Sequence, residues 1–164
     1  MNYTRLLLAL ALLAGLLFAQ APPSAVLAVE GDVATPLSLT GADLAKMPRQ
    51  TVSLPTPDGG KTVYEGVPLR DILEKAGTPS GGKLRGKALT TYVLAMARDG
   101  YQVAFTLGEL DPQFGNETIL VADTRDGKPL NEKQGPFRLV CPNDKEGARS
   151  VRMLETLRVV RLAK

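Results

Sequence analysis

The sequence contains no histidine, no tryptophan and a single cysteine, Cys141, in 164 residues. Without histidine the chain lacks the usual general base near neutral pH and the commonest nitrogen ligand for metals. One cysteine allows no internal disulfide and no cysteine cluster for zinc or iron–sulfur. Aromatic residues make up only 5%, too few for the stacking platforms that hold single-stranded nucleic acid. The 20 Lys and Arg are scattered among 17 Asp and Glu, for a net charge of +3, so no basic stripe marks a nucleic-acid partner. No G-x-S-x-G elbow and no phosphate-loop motif occurs. Asp43, Glu65 and Asp71 form no paired-carboxylate pattern.

What remains is an ordinary globular composition, 44% hydrophobic and 23% charged, enough for one domain with a core. Residues 1–28 read as a signal peptide: Arg5, an apolar run from Leu6 to Ala19, then small residues, with cleavage near 21–28. Ala19-Gln20-Ala21 fits the A-x-A rule, and Ala28 with Val26 two positions earlier is the alternative exit. The run is shorter than the ~20 residues a membrane span needs, so no stable span is expected after cleavage. An uncleaved N-terminal anchor is the competing reading. Export implies a periplasmic or secreted protein whose single domain is 29–164.

Within that domain the pattern is of short strands broken by Gly and Pro. Thr40-Gly-Ala-Asp43 resembles a capping box opening a helix over 42–46, which Pro48 ends. Gln50–Leu54 and K-T-V-Y-E form a hairpin around Asp58-Gly59-Gly60. Pro68 opens a helix with Leu69, Ile72, Leu73 and Ala76 on one face, and Gly77 closes it. A loop is expected from Thr78 to Gly86. A second hairpin joins 89–97 to 101–105 through Asp99-Gly100, and L-G-E-L-D-P makes a helical turn. Strands follow at 119–122, 137–141 and 151–162. The fold class is α+β, mainly β.

The stretch Asp126–Arg152 is the richest in chemistry. Its Gly-led cluster offers backbone N–H groups at Gly147, a hydroxyl at Ser150 and cations at Arg149 and Arg152, the parts of an anion site. Arg138, between Phe137 and Leu139, faces the opposite side of its strand and is expected to need an anionic partner. Tyr101 can present its hydroxyl to a pocket. Cys141, in an apolar strand, reads as a small buried hydrophobe.

Several phrases now fall into a familiar order. Y-E-G-V-P-L-R-D-I-L-E-K-A-G, A-R-D-G-Y, D-G-K-P-L, G-P-F-R-L-V-C-P and G-A-R-S-V-R together resemble the sulfite-oxidase-like oxidoreductase molybdopterin-binding domain family, from about Val29 to Val160. The resemblance implies that family's molybdopterin-binding fold, with mixed sheets and short helices around a pterin pocket. It also implies molybdopterin, or another pterin, as cofactor and an electron-transfer partner. By the same resemblance Gly147, Arg149, Ser150 and Arg152 contact the pterin phosphate, with Arg138 and Tyr101 as further cofactor-binding residues.

Two family features are missing. The molybdenum-ligand cysteine falls at Pro55 or Thr56, neither of which can replace a soft anionic thiolate. The histidine before the G-x-P-x-R phrase is Gln134, which hydrogen-bonds but carries no titrating proton. No catalytic residue and no metal ligand is therefore assigned, and thiolate-bound molybdenum is not expected. Three readings stay open: a module binding a pterin or another small anionic ligand, an oxidoreductase with atypical metal ligation, and a structural or interaction protein.

Overall fold

The computed structural model describes residues 25–162. The expected signal segment lies outside the described residues, except for its last four positions. Strand β1 (Val26–Gly31) already begins among those four, and Leu27 is fully buried. β2 (Leu37–Thr40) follows antiparallel to it. The capping box then forms as the sequence suggests. Thr40 Oγ1 accepts from the Asp43 amide, and the Asp43 carboxylate accepts from the Thr40 amide, opening the one-turn helix α1 (Gly41–Leu44).

β3 (Gln50–Pro55) and β4 (Lys61–Pro68) make the expected hairpin. Helix α2 (Leu69–Lys75) follows at once, burying Leu69, Ile72 and Leu73, and Gly77 ends it at φ +81°. The expected second hairpin is β5 (Thr91–Ala97) and β6 (Gln102–Thr106). β5 starts two residues later than its apolar pattern suggested, because Gly86–Thr90 coils into a 3-10 turn instead. Helix α3 (Leu107–Leu110) opens with a second capping box, Thr106 with Glu109. The chain closes with β7 (Leu120–Arg125), β8 (Lys128–Pro129), β9 (Arg138–Val140) and β10 (Leu154–Arg161).

Two sheets result. The first runs β2-β1-β10-β5-β6, with β1 and β10 parallel and the other pairs antiparallel. The second runs β3-β4-β7-β8, with β9 also pairing to β7. Period-2 alternation decides which side chains go inward. Val67, Val121 and Leu139 join Leu27, Val29, Val93, Phe105, Leu157 and the α2 residues in one core. Their neighbours Leu120, Ala122 and Val140 turn to the opposite face and form a small cluster with Tyr64. Gly66 is required where β4 meets β7, since a Cβ there would collide with the Val121 carbonyl. Among the described residues no helix is long and apolar enough to cross a membrane.

Candidate functional site

Four separate segments meet at one cleft of about 280 Å³. The β5–β6 turn contributes Asp99 and Tyr101, the segment before β9 contributes Lys133, and the loop after β9 contributes Gly147, Ala148 and Ser150. Arg152 and Met153, just ahead of β10, complete it. The segments are tied together by backbone and side-chain bonds. Met153 N donates to Gln134 O at 2.9 Å, Arg98 N to Met153 O at 2.9 Å, and the Tyr101 hydroxyl to Ala148 O at 2.8 Å. Met153 is held at φ +50°, a left-handed conformation that costs a long side chain about 1–3 kcal/mol and tends to occur at functional sites.

The cleft is lined by charges of both signs. Arg152 is exposed and, among the described residues, makes no ion pair. Lys133 lines the same cleft. Asp99 supplies a carboxylate, one oxygen of which accepts from the Tyr101 amide at 3.0 Å. A Cβ added at Gly147 would meet no atom within 4 Å, so the backbone there faces open space that a ligand can enter.

Of the six residues that the sequence nominates, four line this cleft: Gly147, Ser150, Arg152 and Tyr101. Ser150 is buried, and its Oγ accepts from the Cys141 amide at 3.1 Å. Arg149 and Arg138 do not line it. Arg149 is engaged by acids: Nε and Nη2 reach the two Asp144 carboxylate oxygens at 2.8 and 3.0 Å, and Nη1 reaches Glu109 at 2.9 Å. The Asp144 contact, with Glu109 adding to it, holds the Arg149 guanidinium well above its ordinary pKa despite partial burial. Its face also packs over the Phe105 ring, 5.0 Å from the centroid.

Arg138 departs from expectation in a more informative way. As anticipated, it turns away from Phe137 and Leu139, and it is only 7% exposed. The anionic partner expected for it is missing among the described residues. Nη1 instead donates to the Tyr64 hydroxyl and to Gln134 Oε1, both at 2.9 Å, and the guanidinium stacks 4.8 Å from the Tyr64 ring centroid. Burial is the main force pushing its pKa down, which the Tyr64 hydroxyl opposes. Arg152 and Arg125 push further in the same direction as burial. Arg125 lies near the same ring, 6.0 Å away. Arg125 is itself paired with Asp126 at 3.3 Å, which leaves Arg138 and Arg152 as the cations here without a carboxylate among the described residues.

A larger opening of about 590 Å³ lies between α1 and the second sheet. Its charged members are already matched, since Arg49 bonds Glu65 at 2.6 Å and both oxygens of Asp123 at 2.6 and 3.1 Å. The smaller cleft is the one with unspent charge. Near Pro55, where the resemblance puts a metal thiolate, the Thr56 hydroxyl simply bonds Asp58 within the hairpin turn. That turn does not border the 280 Å³ cleft. Cys141 sits elsewhere, buried, with its thiol pushed up to about 12, chiefly by desolvation. Among the described residues no group of three or more Cys, Asp or Glu is placed to hold a metal.

Lys133, Asp99, Met153, Arg125 and Tyr64 were not nominated from the sequence. Lys133 and Met153 are brought together only by the backbone bond between the Gln134 and Met153 segments, which leaves no local motif. Asp99 had one visible signal, its Asp-Gly turn, and that signal reports the hairpin rather than the cleft.

Comparison with known proteins gives three findings. A sequence model of the oxidoreductase molybdopterin binding domain matches residues 19–163. No curated protein matches. The crystal structure of the sulfane dehydrogenase SoxCD from Paracoccus pantotrophus superimposes with a TM-score of 0.62 at 24% identity, over 82% of this chain and 38% of that one. That likeness is one of fold, and this chain spans well under half the length of the SoxCD chain.

Proposed function

We propose a function from one premise: the chain belongs to the oxidoreductase molybdopterin-binding domain family. The protein is a binding module that holds a pterin bearing an anionic tail, without a thiolate-bound molybdenum centre. The observation that carries this reading is the exposed Arg152, with no ion pair among the described residues, sharing a cleft with Lys133 and the open backbone at Gly147; Arg138, buried without a carboxylate, stands outside the cleft and is linked to it through Gln134. A buried cation without a carboxylate is costly, so a fold that keeps one close to the cleft gains from an anion bound nearby.

The residues fit the organic part of the cofactor. Arg152 and Lys133 suit a phosphate, Gly147 leaves room for close approach, and Asp99 can accept hydrogen bonds from the amino group and ring N–H of a pterin. They do not fit the metal end, since the single cysteine is buried and Pro55 and Thr56 offer no sulfur. In relatives that ligate it, molybdopterin supplies a dithiolene-bound metal for two-electron redox chemistry. Here the chain's own residues bind and orient the ligand. The electron-transfer partner belongs to the alternative reading with atypical metal ligation.

Export is part of the proposal, to a periplasm or the cell exterior. Cleavage after Ala21 is preferred to cleavage after Ala28, which would remove the buried Leu27 and half of β1. The intact mass of the exported protein should correspond to a chain starting at Pro22. For the ligand, pyrophosphate should raise the melting temperature of the unmodified protein, and Lys133→Ala with Arg152→Ala should remove that rise. Stoichiometric molybdenum with a dithiolene absorption band, in protein isolated from its own host, would overturn the metal-free reading. If no pterin and no anion raises the melting temperature, the binding module itself is refuted and the structural or interaction protein stands.

A further inference from the structure

We propose that Arg149 is a positioning residue: its clamp on Asp144 and Glu109 fixes the loop over 142–150 as one wall of the anion cleft, and so sets affinity without touching the ligand. The inference rests on the anion-binding reading above.

The loop after β9 carries little regular structure, and besides the bonds from Tyr101 to Ala148 O and from the Cys141 amide to Ser150 it depends on side-chain ties. Residues 143 and 145–148 are exposed, and the only regular structure is the 3-10 turn at Gly147–Arg149. Yet this loop contributes Gly147, Ala148 and Ser150 to the cleft. Arg149 is the fork that fastens it. One side of the guanidinium takes both oxygens of Asp144, closing the loop on itself, and Nη1 reaches across to Glu109 at 2.9 Å. A planar guanidinium matches this bidentate geometry, and a lysine cannot reproduce it. Glu109 is itself immobilised. Its other oxygen, Oε2, accepts from the Thr106 amide at 3.0 Å as part of the α3 capping box. The loop is therefore tied to a rigid helix start, with Phe105 under the guanidinium as a floor. Asn143 Nδ2, bonded to Glu117 at 2.9 Å, adds a further tie at the loop's far end.

Loosening the clamp lowers the fraction of molecules whose wall is in place, and apparent affinity falls by that fraction. This separates positioning from simple electrostatics. Asp144→Asn removes a negative charge beside an anion site. If only the field mattered, the variant would bind an anion more tightly. If the clamp matters, it binds more weakly, because Asn cannot accept the charged fork at both oxygens.

The test is calorimetric titration of pyrophosphate into the full-length unmodified protein and into Asp144→Asn, Arg149→Lys and Arg149→Gln at fixed ionic strength. Amide hydrogen exchange of residues 145–150 is followed in the same four proteins without ligand. The expected result is about five-fold weaker binding for Asp144→Asn and Arg149→Gln, with part of the loss restored in Arg149→Lys. A five-fold change corresponds to a clamp of about 1 kcal/mol. Exchange at 145–150 should quicken by a similar factor while β5 and β10 stay protected. Unchanged or tighter binding by Asp144→Asn overturns the role of Arg149 and leaves the anion reading intact. Unchanged exchange overturns it as well. No binding by the unmodified protein refutes the anion reading, and the positioning role falls with it.

Discussion

Replacing Arg138 with methionine tests the central claim, that this buried cation is uncompensated in the unliganded protein. The substitution removes two short charge-assisted hydrogen bonds, to Tyr64 and Gln134, a long one of 3.5 Å from Nε to the Leu139 carbonyl, and a stacking contact on the Tyr64 ring. Such bonds are each worth roughly 1.5–3 kcal/mol and the stacking roughly 0.5–2 kcal/mol. Against this stands the desolvation of a guanidinium only 7% exposed, a penalty of several kcal/mol that methionine, of similar length, does not incur. The terms nearly cancel, so Arg138→Met should change unfolding stability by no more than about 2 kcal/mol either way. Arg49→Met provides the contrast, because it strands Glu65 and Asp123 without their cation and should cost about 2–4 kcal/mol. Urea denaturation midpoints at unchanged slope measure both. Repeating the titration in pyrophosphate at 100 times its Kd should stabilise the unmodified protein by about 2.7 kcal/mol, and Arg138→Met by less, because Arg138 acts on the cleft only through its field and its bond to Gln134. A loss well above 3 kcal/mol for Arg138→Met in ligand-free buffer, exceeding that of Arg49→Met, would show that Arg138 is already balanced and refute the reasoning.

Other expectations follow from single contacts. Gly66→Ala drives a methyl group into the Val121 carbonyl and the Ala122 backbone, and should cost at least about 3 kcal/mol or abolish folding, read by circular dichroism. Thr106→Ala removes the α3 cap and should cost about 1 kcal/mol in thermal unfolding. For Cys141 the folded thiol is pushed from its ordinary value of 9.0 up to about 12, mainly by burial. The folded state therefore holds its proton more tightly, a contribution fully present below pH 9 that fades as the pH rises towards 12, by at most about 1.4 kcal/mol per unit. Alkylation at pH 8 should accordingly be slow in the native protein and fast in urea, and rapid native labelling would contradict the burial.

The elements with local signatures were legible beforehand. Both hairpins carry Asp-Gly turns, α2 has Pro and Gly at its ends with apolar residues at helical spacing, and α1 opens on a Thr–Asp box. The alternation around Arg138 foretold which way it faces. What could not be read was pairing at a distance. Arg149 looked free because its partners are Asp144, five positions away, and Glu109, forty positions away. Arg138 looked like half of an ion pair, because one sequence cannot show that Tyr64 and Gln134 stand where an acid was expected. The cleft itself joins four segments through backbone bonds, and such bonds leave no trace in residue type.

The parallel pairing of β1 with β10 has a consequence for the order of events as the chain folds. Ala28 lies beside Thr156, so the central strand of the five-stranded sheet is supplied by β10, the strand of this domain farthest along the chain from β1. Until β10 docks, the β1–β2 and β5–β6 hairpins have no common neighbour, and Leu27, Val29, Val93 and Ala95 have no Leu157 or Val159 to pack against. Closing so long a loop comes late and slowly. The five-stranded sheet thus stays open until β10 docks between β1 and β5.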